Sequence, residues 1–259
     1  MAGLITLTTD FGLRDPFVGI MKGVILSINP AVRLVDLTHQ VESFDVVEGA
    51  LALAQSYSHF PPETIHVVVV DPGVGSERRP ILVSTPTNHF VGPDNGIFSL
   101  VYDRERSFAV RHITASRYFV QPVSQTFHGR DIFAPAAAHL SRGLGPAEFG
   151  PALAEPVLLP AVFPTCSGDT MEGEIVRFDR FGNGISNISL AAFKAFTGGA
   201  SFLVELCGLA FPALSRSYYE DRHTCLVGSS GYLEFGLFEG NLAEEISLRK
   251  GEKVRVSRV

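Results

Sequence analysis

The sequence predicts an N-terminal α/β domain with a mainly parallel sheet over residues 1–155, followed by a C-terminal all-β, barrel-like domain over 165–259. Three observations predict it. The first half alternates apolar, β-branched runs with stretches of helical spacing, as strand–helix–strand units do. Pro151, Pro156, Pro160 and Pro164 then punctuate a short stretch and mark a linker. Beyond them, short strand-like runs and turn residues replace the helical spacing.

Each element follows from local pattern. Leu4 to Thr8 reads as a buried strand ending in the turn-like Thr9-Asp10-Phe11-Gly12. Phe17 to Ile28 has helical spacing and stops at Asn29-Pro30, because proline cannot continue a helix. Val32 to Leu37 is a second strand, and Phe44 to Ser58 a helix with Val46, Val47, Ala50, Leu51, Leu53 and Ala54 on one side. Ile65 to Val70 is almost wholly apolar, as a central strand covered on both faces must be. Ile81 to Ser84 and His89 to Val91 are further strands, and Asp131 to Leu140 is a helix that Gly143 can end. In the second half the expected strands are Gly173–Phe178, Ile185–Ser189, Ser201–Leu206, Gly231–Phe235, Glu245–Leu248 and Lys253–Val256.

Composition narrows the function. The 259 residues are 46% hydrophobic and 19% charged, which fits a packed globular chain. A net charge of −6 without a basic run argues against nucleic acid or an anionic membrane as partner. No apolar run approaches the roughly 20 residues that span a bilayer, so the expected location is the cytoplasm. Cys166, Cys207 and Cys225 are widely spaced and read as buried thiols rather than a disulfide frame or zinc site. The glycine-rich stretches match neither phosphate-loop nor dinucleotide fingerprints, which removes the usual support for ATP or NAD chemistry.

Polar clusters gather where α/β sheets bind ligands, outside the carboxyl ends of strands. Asp10 follows the first strand, Asp71 the most apolar one, and Asp94-Asn95 another, while Thr126-Phe127-His128-Gly129-Arg130-Asp131 precedes a helix. Single aspartates at strand ends are as often turn formers or caps; four such clusters on one rim favour a site. In Asp71-Pro-Gly-Val-Gly-Ser-Glu-Arg78, two glycines allow a tight turn that folds the guanidinium back onto the carboxylate. His128 is the one histidine in a compact polar loop and the best candidate for proton transfer. His39, His59, His66, His89, His112, His139 and His223 read as structural or exposed.

Two chemistries compete for Asp10, Asp71, His128 and Asp131. One is a metal-dependent hydrolase of a nucleoside or small ester. The other is a metal-free site in which Asp, Arg and His position a water; Arg78 favours it, because a guanidinium already fills the place of Asp71's charge partner. A third possibility is a nucleoside-binding or sensory protein that turns nothing over. In the second domain, Gly182-Asn183-Gly184 reads as a hairpin turn, and its flanks Asp179, Phe181 and Asn187 add stacking and hydrogen-bonding groups suited to a purine. Ser229 to Phe235 combines another tight turn with polar side chains.

Five motifs in order carry a resemblance: Thr8-Thr9-Asp10-Phe11-Gly12, Val69-Val70-Asp71-Pro72-Gly73-Val74-Gly75, Gly92-Pro93-Asp94-Asn95-Gly96, Thr126-Phe127-His128-Gly129-Arg130-Asp131 and Asp179-Arg180-Phe181-Gly182-Asn183. The chain resembles, along essentially its whole length, the S-adenosyl-L-methionine (SAM) hydrolases, also called SAM hydroxide adenosyltransferases, relatives of fluorinase and chlorinase. The resemblance implies cleavage of SAM to adenosine and methionine with neither cofactor nor metal. It also implies a homotrimer whose sites lie between the N-terminal domain of one subunit and the C-terminal domain of the next. By position, Asp71, Arg78 and His128 are the implied water-activating trio, with Asp71 and His128 accepting the proton. Asp10 would hold the ribose hydroxyls, with Asp94 and Asn95 also on the substrate side. Asp15 and Asp179 would face the methionine ammonium, Asn183 the adenine, and Ser229 and Glu234 the remaining barrel-side pocket, with Phe181 also on the substrate side. The halogenating relatives differ, with tyrosine in the place of Asp71 and Tyr-Ser in the place of His128-Gly129. Phe17 stands where fluorinase has a small polar residue.

Overall fold

In the computed structural model, which describes residues 3–259, the chain divides into two compact units, Met1–Leu159 and Pro160–Val259. The first contains β1 (Leu4–Thr9), α1 (Phe17–Ile28), β2 (Arg33–Thr38), α2 (Val46–Ser56), β3 (Thr64–Val69), β4 (Pro80–Ser84), β5 (His89–Pro93), α3 (Ser99–Arg104), β6 (Ala109–His112) and α4 (Ala134–Ser141). Its six strands form one sheet in the order β2-β1-β3-β5-β4-β6. β1 pairs parallel with β2 and β3, and β3 with β5, while β4 runs antiparallel between β5 and β6.

This order positions the site. From β1 the chain moves to one side for β2 and then returns to the other for β3, so the strand order reverses between β1 and β3. A crevice opens at such a switch point, outside the carboxyl ends of the two strands. Every residue of β3 is buried, which is why its sequence is apolar without alternation. On one face, Ile5, Leu7, Ile65, Val67 and Val69 pack with Met21 and Ile25 of α1 and the alanine-rich α4. Each fully buried Leu, Ile or Val there contributes about 1.5–3 kcal/mol. The loops on the rim therefore hang from a rigid support.

The second unit contains β7 (Thr165–Ser167), β8 (Thr170–Phe178), β9 (Gly184–Ser189), α5 (Leu190–Thr197), β10 (Phe202–Leu206), β11 (Leu209–Phe211), β12 (His223–Val227), β13 (Tyr232–Leu237), α6 (Leu242–Glu245) and β14 (Lys253–Arg258). Its strands are antiparallel in the order β11-β10-β14-β8-β9-β13-β12, with β7 added beside β8, and the sheet curls into the expected barrel-like form. Its own core includes Ile175, Ile188, Leu206, Phe235, Val254 and Val256.

Three local expectations need correction. Glu245–Leu248 is not a strand: Asn241 caps α6 by accepting from the Glu244 amide at 3.1 Å, and the chain leaves that helix through Ser247 at φ 52°. The helix expected from Phe44 starts at Val46, because Phe44 has φ 69° and Asp45 supplies the N-cap. Of the three thiols expected to be buried, only Cys225 is; Cys166 lies on the short β7 and Cys207 in the turn between β10 and β11, and both are exposed. Among the described residues no helix is long and apolar enough to cross a membrane.

Candidate active site

The loops after β1 and β3, the segment from Ser43 to Phe44, and the turn before α4 enclose a cavity of about 280 Å³. Asp10, Phe11, Phe17, Ser43, Phe44, Asp71, Val74, Phe127 and His128 line it. A larger cavity of about 750 Å³ opens among Arg33, Pro61, Glu63, His89 and Pro146. It lies by the opposite, amino ends of β1 and β3, away from the switch point.

Asp71 stands just beyond β3, after the buried Val70, so its carboxylate is carried by a fully buried strand. The next residues turn back on themselves. Gly75, at φ 78°, closes this turn against the neighbouring loop, where a Cβ would stand 2.3 Å from the Gln125 carbonyl oxygen. The return brings Arg78 onto Asp71: its Nε lies 2.9 Å from both carboxylate oxygens, and its Nη2 also donates to Oδ2. The two side chains are only 9% and 5% exposed, so this is not one of the weak surface pairs. Arg78 Nη2 is also 2.7 Å from His128 Nδ1.

That last contact fixes the imidazole. A guanidinium has donors and no acceptor and keeps its charge, so Nδ1 must accept and the single proton sits on Nε2. Burial, reinforced by the Arg78 charge, lowers the His128 pKa below its ordinary value and keeps the ring neutral. His128 is thus a neutral imidazole held between the Arg78 guanidinium and the Ser124 backbone.

His128 leads into one turn of π-helix, Gly129–Phe133, before α4 begins. Such turns recur at functional sites. Gly129 is required for space, since a Cβ would crowd Met21 and Phe127 at 3.1 and 3.2 Å. Asp131 is fully buried and accepts from Arg130 Nε at 2.6 Å and from the Ser124 amide at 2.8 Å. It braces the loop and does not line the cavity.

Asp10 lines the cavity while its Oδ2 accepts from the Phe44 amide at 2.9 Å. Burial first, and the nearby Asp71 charge, raise its pKa, with the Phe44 amide opposing. Its loop is held from behind, where Thr9 Oγ1 lies 2.8 Å from His39 Nδ1 and the Gly12 amide donates to the His39 carbonyl at 2.8 Å. Asp94 and Asn95 stand at the end of β5 as expected, but their side chains face other work. Asp94 receives Arg79 Nε at 2.7 Å and the Val157 amide at 2.8 Å; Asn95 donates to the Val70 carbonyl at 2.9 Å. Asp15 is exposed in the loop ahead of α1.

The second unit gathers its own polar group around two turns. In the β8–β9 hairpin, Asp179 Oδ1 accepts from the Phe181 and Asn183 amides at 2.8 and 2.9 Å, and its Oδ2 from Asn183 Nδ2 at 2.9 Å. Phe181 is 73% exposed at the tip. Glu234 on β13 is buried and accepts from the Tyr218 hydroxyl. Burial raises its pKa, and Asp179 adds to the rise. Ser229 is exposed in the β12–β13 turn.

Sequence reasoning passed over Phe44 and Tyr218. Phe44 precedes the Asp45 cap, a place where an aromatic residue usually packs on the helix, and only its positive φ turns it to the cavity. Tyr218 lies in an irregular segment with no local pattern. Among the described residues, Glu42, Asp45 and Glu48 are close enough to share a cation, but Asp45 already caps α2 through the Glu48 amide at 2.8 Å.

Comparison with known proteins fits this arrangement. Family models of the SAM hydroxide adenosyltransferase N-terminal and C-terminal domains match residues 5–150 and 173–255. Relatives called (R)-S-adenosyl-L-methionine hydrolase are 41% identical in Salinispora tropica, with 98% of this chain and 97% of that one covered, and 36% identical in Thermus thermophilus, with 96% and 97% covered. A fluorinase of Actinoplanes is 26% identical over 98% of this chain and 97% of its own. The crystal structure of an uncharacterized conserved protein from Thermotoga maritima superposes with a TM-score of 0.87 at 34% identity, covering 98% of this chain and all of the other.

Proposed function

The chain belongs to the SAM hydroxide adenosyltransferase family and is an S-adenosyl-L-methionine hydrolase, and from that premise we propose that Asp71, Arg78 and His128 activate the attacking water. The observation that carries the assignment is the shared guanidinium, which holds Asp71 and His128 on one side of the cavity at the β1–β3 switch point.

In this reaction the water oxygen forms a bond to ribose C5′ from the side opposite sulfur. The C5′–S bond breaks with its electron pair going to sulfur, which leaves as the neutral thioether of methionine. No leaving-group acid is needed. The protein's task is to orient a desolvated water and remove one proton. His128 Nε2–H donates to the water oxygen and aims a lone pair at C5′. Asp71, the basic member, takes the proton and passes it to solvent after the product departs. Arg78 keeps Asp71 aligned and His128 in its donor tautomer.

In the same proposal Asp10 binds the ribose hydroxyls through the oxygen not held by Phe44, and Phe44 covers the nucleoside. Asp94 and Asn95 shape the substrate side from behind. The enzyme acts as a homotrimer in which Asp15 and, from the second unit of a neighbouring subunit, Asp179 meet the methionine ammonium. Phe181, Asn183, Ser229 and Glu234 complete the adenine side. Sedimentation analysis tests the assembly; a monomeric active enzyme would remove it.

Chromatography of purified protein incubated with SAM tests the reaction. Equimolar adenosine and methionine are expected, unchanged by a chelator. Release of neither product would overturn the hydrolase reading, and loss of activity on chelation would return the metal-dependent alternative.

A further inference from the structure

Phe11, Phe17 and Phe127 meet at the cavity wall, each in edge contact with the other two. Centroid separations are 5.8, 5.9 and 5.1 Å, at interplanar angles of 64°, 72° and 76°. All three rings line the same cavity as Asp71 and His128. Each edge contact covers one face of one ring, so three contacts cover at most half of the six faces. The Arg130 guanidinium sits over Phe127 at 5.4 Å and covers one more. Phe11 and Phe127 also pack against the core, so the free π surface at the cavity lies chiefly on Phe17, which is 41% exposed.

The remaining lining is short of positive charge. Asp10 and Asp71 are its carboxylates and His128 is neutral; Arg78 stands behind Asp71 rather than in the lining. A sulfonium is a cation without a single N–H or O–H, so it forms no hydrogen bond. Carboxylate fields, carbonyl dipoles and aromatic faces recognise its charge. In-line attack places sulfur across C5′ from the water, within the same small chamber.

Resting on the hydrolase reading, we propose that the Phe11–Phe17–Phe127 cluster is a specificity element that selects the sulfonium over the neutral thioether. The attraction exists while sulfur carries its charge and disappears as the C5′–S bond breaks. It therefore favours substrate over the methionine product and helps that product leave. Because the charge is larger in the bound substrate than in the transition state, this interaction lowers KM without raising kcat.

The test compares SAM with its uncharged thioether, S-adenosyl-L-homocysteine. Affinities are measured by titration calorimetry in an Asp71→Asn background, which removes the base; adenosine, carboxylate and ammonium groups are common to both ligands and cancel. Phe17→Leu, at a half-exposed position that tolerates the change, should reduce the SAM-to-thioether affinity ratio about 3- to 30-fold, Phe11→Leu likewise, and Phe17→Tyr should restore it. With Asp71 intact, Phe17→Leu should raise KM and leave kcat unchanged or higher. Equal losses for both ligands, or a leucine variant that keeps the ratio, overturn the proposal. Wild-type hydrolysis of SAM, measured alongside, separates the two readings. Active enzyme with an unchanged ratio ends the aromatic proposal alone, whereas inactive wild type ends the hydrolase reading beneath it.

Discussion

The polar groups of the two units are built on opposite electrostatic plans. In the first unit three aspartates near the rim each have their own guanidinium, Asp71 with Arg78, Asp94 with Arg79 and Asp131 with Arg130, while Asp10 is held by the Phe44 amide. In the second, Asp179 and Glu234 are held by amides, Asn183 and a tyrosine hydroxyl, with no ion pair among the described residues. The paired plan fixes charge and geometry in advance, as moving a proton requires. The unpaired plan leaves negative potential and acceptor capacity for something that arrives, which suits an ammonium or an amine edge.

The sharpest way to break this comparison is to remove the base. Asp71→Ala should lower kcat by about 10²–10⁴-fold with a small change in KM, as read by steady-state release of adenosine. A KM effect without a kcat effect would put Asp71 in binding instead. Next comes the turn that carries the pair. Gly75→Ala forces a Cβ against the Gln125 carbonyl at a positive φ and should destabilise the first unit by about 1–3 kcal/mol in urea unfolding. Activity should fall through misplacement of Arg78.

In the second unit, Glu234→Gln keeps the shape and removes the charge. It should raise KM about tenfold at constant kcat, the worth of one hydrogen bond to a charged group. A fall in kcat alone would contradict a purely recognising role. The smallest effect is in pH. Lowering of the His128 pKa keeps the ring neutral through the range where an ordinary histidine, at 6.5, becomes charged. At pH 6.5 kcat should therefore keep more than half its neutral value. Glu234 has the reverse displacement: its raised pKa makes it protonate sooner than an ordinary glutamate as pH falls, so KM should begin to rise at mildly acid pH. A kcat that halves near pH 6.5 would show that His128 lacks the protection of burial and Arg78.

Much of this was legible in the sequence where chemistry and local geometry coincide. The almost wholly apolar run of β3 announced a central strand, and Asp71 follows just beyond it. Seven residues with two glycines sufficed to foresee the Arg78 pair. Other features depend on partners distant in the chain. Asp94 has the same strand-end setting as Asp71, yet the Val157 amide and Arg79 claim its carboxylate. The hairpin of β4 and β5 and the antiparallel β6 depend on register, which no single run encodes. Glu245–Leu248 alternates like a strand, but the Asn241 cap is worth more than four residues of alternation. The exposure of Cys166 and Cys207 reflects short edge elements, whereas composition averages over the whole fold.

The π-turn at Gly129–Phe133 carries one residue more than an α-helical path would need. Each residue in a helix advances the direction of a side chain by about 100°. Deleting a single position there would let α4 continue in ordinary register while swinging His128 through roughly that angle, away from Arg78. The proposed donor's place beside Arg78 thus depends on a counting parity, one surplus residue in the helix.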